Sequence, residues 1–195
     1  MRSLVALLAI LGLTMTLGAT DGEAAGPWKA EVVDADTGTP LEGVVVLAVW
    51  FRREASPGGW AGGGYHASDE VVTGPDGRFE IPARSPIPPA PLVTTIQGPS
   101  FLIFKGGYGQ WRFRDASEWE RLPFEERKAR VKATWKAFQG EGVVIELPPL
   151  RTPAERRRFL RHAGPSGEIP PIRIPRYLDA FNAERVSLGL EPLGR

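Results

Sequence analysis

The nine residues Gly43 to Phe51 (GVVVLAVWF) restrict the fold of this chain more than any other stretch. They are β-branched, aliphatic or aromatic, the composition of a strand. Side chains of a strand alternate between faces, so Val44, Val46 and Trp50 point one way and Val45, Leu47, Val49 and Phe51 the other. Both faces are apolar, and both must be shielded from water. The opposite sheet of a sandwich covers one of them, and some other part of the chain must cover the second.

The flanks supply the remaining strands. Trp28, Ala30 and Val32 alternate with Lys29 and Glu31, a half-buried strand that ends at Val33-Asp34. Asp34-Ala35-Asp36-Thr37-Gly38-Thr39-Pro40 reads as a turn: aspartate side chains bond following amides, Gly38 takes positive φ and Pro40 fixes the exit. Arg52 to His66 (RREASPGGWAGGGYH) lacks periodicity and predicts a loop or loose hairpin crossing. Ser68 to Thr73 resumes a strand, and Gly74-Pro75-Asp76-Gly77 followed by Arg78 to Ile81 predicts a hairpin with Phe79 and Ile81 inward. The proline-rich Ser85 to Pro91 suits a crossing between sheets, better than a ligand for a polyproline-binding partner. Leu92 to Ile96, Phe101 to Phe104 and Gly142 to Leu147 are further strand candidates.

Elsewhere the period changes to 3.6. Pro123, Glu125 and Glu126 open, and Gly140 closes, a helix from about Leu122 to Gln139, with Phe124, Val131, Trp135 and Phe138 on one side. Thr152-Pro153-Ala154-Glu155 is a capping box that starts a basic helix ending near His162. A last helix spans Arg176 to Leu188, with Tyr177, Leu178, Phe181 and Val186 or Leu188 as its stripe. These stripes are expected to pack on the outside of the 43–51 strand. The reading is one mainly β domain: a Greek-key, transthyretin-like β-sandwich over 25–150 with a helical insertion at about 115–140, and a helical C-terminal extension, 151–195, packed on it.

Two turn patterns, Val33-Asp34-x-x-Thr37-Gly38-x-Pro40-Leu41-x-Gly43-Val44-x-Val46 and Thr73-x-x-Asp76-Gly77-x-Phe79-x-Ile81, resemble the carboxypeptidase regulatory-like domain. Phe101 to Tyr108 is similar to the strand with that family's Gly-Tyr signature, and Val143 to Leu147 to its closing strand. The resemblance covers 27–82, with 101–108 and 143–150 matching more loosely. It implies a non-catalytic sandwich module, found beside secreted peptidases or in surface proteins and used for protein or carbohydrate contacts. Related sandwich hydrolases that act on hydroxyisourate rely on paired histidines, an arginine and a short C-terminal signature, which this chain lacks: His66 and His162 are isolated and the end reads Leu193-Gly194-Arg195. The chain departs from the family at 52–66, at the inserted helix and beyond 150.

Arg2 followed by the uncharged apolar run Leu4 to Leu17 is expected to be a secretory signal over 1–24, cleaved after Ala24 or alternatively Ala19. The protein would then be exported, periplasmic or extracellular, with no stable membrane span after cleavage. The chain has no cysteine, so it is not a lipoprotein and uses neither disulfides nor thiolate chemistry. Without Arg2, Asp21 and Glu23, 23 basic residues face 21 acidic ones, too even a balance for a polyanion field. Residues 151–195 hold nine arginines against five acids, spread along helices without interleaved aromatics, so no nucleic-acid partner is expected.

Candidate sites are few. Trp60 and Tyr65, with His66 beside them, lie among glycines (GGWAGGGYH), where exposed rings stack on a sugar or apolar ligand; the competing reading folds them back as a plug. Tyr108, Trp111 and Phe113 are expected to face the core. Asp34 and Asp36 with Gly38 offer a weak calcium alternative to an ordinary aspartate turn, lacking a third oxygen ligand and a bidentate glutamate. The two histidines are too far apart in sequence to suggest zinc, and no cofactor is expected. Asp69 and Glu70 are adjacent in a strand, so they point to opposite faces and cannot pair for acid–base work. No nucleophile elbow is visible. Three functions compete: a binding module contacting an envelope protein or carbohydrate, a small hydrolase with a dispersed site, and a purely structural envelope component.

Overall fold

The computed structural model describes residues 26–84, 90 and 92–194. The signal at 1–24 lies outside them, as does most of the Ser85–Pro91 crossing. Seven strands form among the described residues: β1 (Trp28–Asp34), β2 (Val45–Ser56), β3 (Gly59–Val72), β4 (Arg78–Ile81), β5 (Thr94–Phe104), β6 (Arg112–Phe113) and β7 (Val143–Leu147). They make a four-stranded sheet, β4-β1-β7-β6, and a three-stranded sheet, β3-β2-β5. All neighbours are antiparallel except β1 and β7, which run parallel. The fold is mainly β, as the strand patterns require.

β2 is the central strand of its sheet, which is why its sequence is apolar on both sides. Val44, Val46, Ala48 and Trp50 join Val32, Phe79, Ile81, Ile145 and Leu147 in the core between the sheets. Val45, Leu47 and Val49 meet Phe104, Leu160, Ile174, Tyr177, Leu178 and Phe181 in a second core on the outer side. That second core is the cover the sequence demanded. It is supplied by α3 (Pro153–Leu160), a 3₁₀ turn at Pro171–Arg173 and α4 (Pro175–Ser187). Each fully buried side chain of this kind contributes about 1.5–3 kcal/mol of burial free energy.

Polar ties fix the extension to the sheet. Thr152 Oγ1 accepts the Glu155 N–H at 3.2 Å and the Glu155 carboxylate accepts the Thr152 N–H at 2.9 Å, the capping box foreseen for α3. Glu70 of β3 accepts the N–H groups of Arg176 and Tyr177, at 3.1 and 2.7 Å, and so satisfies the free donors at the start of α4. The buried Glu184 of α4 takes two 2.6 Å bonds from Arg156 of α3 and a 3.0 Å bond from the Gly107 N–H. A Cβ at Gly106 would stand 2.8 Å from Glu184 Oε2, so a larger residue there would displace that carboxylate.

Four expectations change. First, Gly74–Gly77 forms its turn, with Gly77 N–H bonded to Gly74 O at 2.9 Å and Gly77 at φ 71°, but it closes no hairpin. β3 pairs with β2 and β4 with β1, so the turn passes the chain from one sheet to the other. Second, Leu92–Ile96 and Phe101–Phe104 are not two strands but the ends of β5. Third, of the two readings of Arg52–His66 the hairpin holds and the loop does not: both halves extend β2 and β3 into a ribbon. Fourth, the inserted helix, α2 (Phe124–Phe138), does not lie on the outside of β2. Only its last turn is anchored, with Phe138 and Trp135 inserted among Trp28, Phe101 and Phe113 at one end of the inner core. Phe124 is 64% exposed and Val131 is also exposed, so the predicted stripe is buried at one end alone. A four-residue helix, α1 (Ala116–Trp119), precedes it.

Candidate functional site

Beyond Trp50 the three-stranded sheet outgrows its partner. β2 from Phe51, β3 up to Tyr65 and the start of β5 continue as an arm whose side chains are mostly exposed. Register explains how the arm bends away. Trp50 pairs with Ala67 and Phe51 with Tyr65, so His66 is an extra residue; β5 likewise gains one residue between Ser100 and Gln97. A second extra residue on β3 lies between Gly64 and Ala61. Extra residues in the flanking strands bend and twist a ribbon locally.

At the tip Ala55 pairs with Trp60 on one side and donates its N–H to Val93 O at 2.8 Å on the other. Residues opposite one another share a face, so Trp60, Ala55 and Val93 form one cross-strand apolar row. Trp60 is 50% exposed, Val93 53% and the adjoining Leu92 95%. Gly62 has φ 85°, a conformation that favours glycine, but Gly64 does not have positive φ and a Cβ there would meet nothing within 4 Å. The fold does not require glycine at 64; its effect is to leave the arm bare.

The three residues singled out in the sequence separate. Trp60 is at the tip, as exposed as the binding reading needs. Tyr65 is half-buried against the second core, with its hydroxyl 2.9 Å from Ser68 Oγ, so for this ring the plug reading holds. His66, on its bulge, lines a cleft of about 400 Å³ together with Tyr65, Ala67, Ser68, Arg84, Ile172 and Arg173. At about 3.3 Å per residue, the tip and the cleft are of the order of 15–20 Å apart.

Arg84 has the most side-chain contacts that bear on the cleft's charge. Its Nε and Nη2 both donate to the Asp69 carboxylate, and its guanidinium lies 5.3 Å from the Trp50 ring centroid. The bonds to Asp69 raise its pKa above the ordinary arginine value against the opposing effect of burial. Asp69 and Glu70 do point to opposite faces, one to Arg84 and the other to α4. Among the described residues Ser68 Oγ is shared between Tyr65 Oη, at 2.9 Å, and the Arg173 carbonyl, at 3.0 Å, and not with His66.

The Asp34 loop is a closed aspartate turn. Oδ1 accepts the N–H groups of Asp36 and Thr37, at 2.8 and 2.9 Å, and Oδ2 accepts the Tyr108 hydroxyl at 3.1 Å. Burial pushes the Asp34 carboxyl up, but these donors outweigh it and hold the group below the usual carboxylate range. Asp36 turns instead to Arg151. Among the described residues no group of three or more carboxylates or histidines is placed to hold a metal ion, and no helix is long and apolar enough to cross a membrane.

Sequence reasoning missed Val93 and both arginines of the cleft. Val93 had a signal, being apolar at the start of a strand. Arg84 and Arg173 had none, since they are 89 positions apart and line one cleft only through the packing of the extension on β3. No family model, curated protein or solved structure matches the chain.

Proposed function

We propose that the protein is an exported, non-catalytic binding module built on a carboxypeptidase regulatory-like sandwich, and that it contacts an envelope protein or glycan through the arm formed by β2, β3 and β5. The observation that carries this reading is the exposed row Trp60–Ala55–Val93 at the end of a hydrogen-bonded three-stranded arm. An indole has only two side-chain torsions to fix, so stacking this half-exposed ring on a sugar or apolar face costs little conformational entropy. The bare glycine backbone beside it leaves room for that face. The family assignment draws support from the turn chemistry: Asp34 closes the first turn, and Thr73 Oγ1 accepts the Val44 N–H at 2.9 Å and donates to Leu41 O at 2.6 Å, which ties the two motifs together.

The test is co-sedimentation of the purified protein with insoluble envelope glycans, beside cross-linking to envelope proteins, for the native chain and for Trp60→Ala and Val93→Ser. Tyr65 is left intact because its ring and hydroxyl are structural. Retention by the native chain and its loss in both variants is the expected result. Equal retention by all three would overturn the reading.

A further inference from the structure

The cleft at the root of the arm has a chemistry that the apolar tip does not share. Arg84 and Arg173 both line it, beside His66 and Ser68. Asp69 neutralises one of the arginines, and the remaining nearby acids are turned elsewhere: Glu70 accepts the first N–H groups of α4, and Glu168 lies alongside Gly63 farther up the arm. Arg84 and Arg173 against Asp69 leave one positive charge in excess. Arg84 is already oriented by its two bonds to Asp69 and by the Trp50 ring. A guanidinium fixed in this way loses little freedom when it binds an oxyanion, which is the situation in which arginine binds carboxylate and phosphate best. Ile172, 83% exposed, forms an apolar lip to the same cleft.

We propose that this cleft is an anion-recognition site for a carboxylate or phosphate group carried on a ligand whose apolar part lies against Ile172. The site goes beyond the contact surface at the arm tip and does not depend on it.

The full-length mature protein is titrated, with amide shifts as readout, against inorganic phosphate, acetate, 3-phenylpropionate and the uncharged 3-phenylpropanamide. Saturable shifts confined to 65–68, 84 and 172–173 are expected with the anions, stronger for phenylpropionate than for acetate, weakening as salt is added and absent with the amide. Whichever of phosphate and acetate binds tighter names the group the site takes. Arg173→Gln, whose side chain is exposed, should weaken binding about tenfold while leaving the melting temperature in place; Arg84→Lys, which keeps the charge but loses the fork, should weaken binding likewise. Trp60→Ala should leave the titration unchanged. Scattered, non-saturating shifts, binding of the amide as tight as that of the acid, or affinity unaltered by Arg173→Gln would each overturn the proposal.

Discussion

The two sheets carry outer faces of opposite character. On the four-stranded sheet Lys29 pairs with Glu80 at 3.4 Å, Arg78 with Glu31 at 3.8 Å, and Glu146 with Arg112 and Arg114 at 3.1 and 3.5 Å, a lattice of ion pairs facing water. On the three-stranded sheet the corresponding positions of β2 are Val45, Leu47 and Val49, and two helices cover them. One face is stable in solvent by itself, while the other exists only with its cover. The difference teaches where stability resides: residues beyond 150 share a buried core with β2, whereas the charged face is held by solvent-exposed ion pairs.

The largest expected effect follows from removing the cover. Truncation after Leu150 exposes Val45, Leu47, Val49 and Phe104 together, and the remainder should fail to give a cooperative melt or should aggregate, as read by circular dichroism and light scattering. A truncated chain that melts like the whole would break the comparison. Within the cover, Phe181→Ala should cost about 3–5 kcal/mol in urea denaturation, since the ring is fully buried against Phe104 and Tyr177. Along α2 the same substitution should divide by position: Phe138→Ala in that range, Phe124→Ala within about 0.5 kcal/mol.

Arg156→Ala strands the buried Glu184 carboxylate and is expected to cost about 2–4 kcal/mol. The pH dependence has a definite sign. Burial alone would raise the Glu184 carboxyl, but Arg156 and the Gly107 N–H bring it below its ordinary 4.5. A depressed folded-state value means that the contribution is complete above the unfolded value and is lost as pH falls through the folded one. Native-chain stability should therefore drop below about pH 4.5 more steeply than that of Glu184→Gln, measured by urea midpoints across pH. The smallest effect belongs to the wet face: Lys29→Ala or Glu80→Ala should change stability by no more than about 0.5 kcal/mol, because both groups are largely exposed.

Local chemistry made much of this legible in advance. The aspartate turn at Asp34, the capping box at Thr152, the Pro75-Asp76-Gly77 turn and the strands at 28–34 and 143–147 rest on interactions within a few residues, and they form where the residues say. The errors share a physical cause. The 74–77 turn has the local shape of a hairpin whichever sheet its arms join, and only pairing across the molecule decides that. Arg52–His66 lacks an alternating pattern because neither face of the arm is buried, so periodicity had nothing to report. α2 has an apolar stripe, but burial reaches only Trp135 and Phe138, because the stripe meets the open end of the sandwich and not a flat sheet.

The sequence by itself determined that β2 must be buried on both faces, that helices would supply one of the covers, and that the turns would close at 34–40 and 74–77, since all three follow from side-chain alternation and backbone chemistry within short windows. Tertiary structure alone decided that Trp60 is left in solvent while Tyr65 is packed, and that Arg84 and Arg173 line one cleft with His66. Those placements depend on which bulge shifts the register of β3 and on where the C-terminal extension lands against it, interactions between segments about a hundred residues apart that no local pattern encodes.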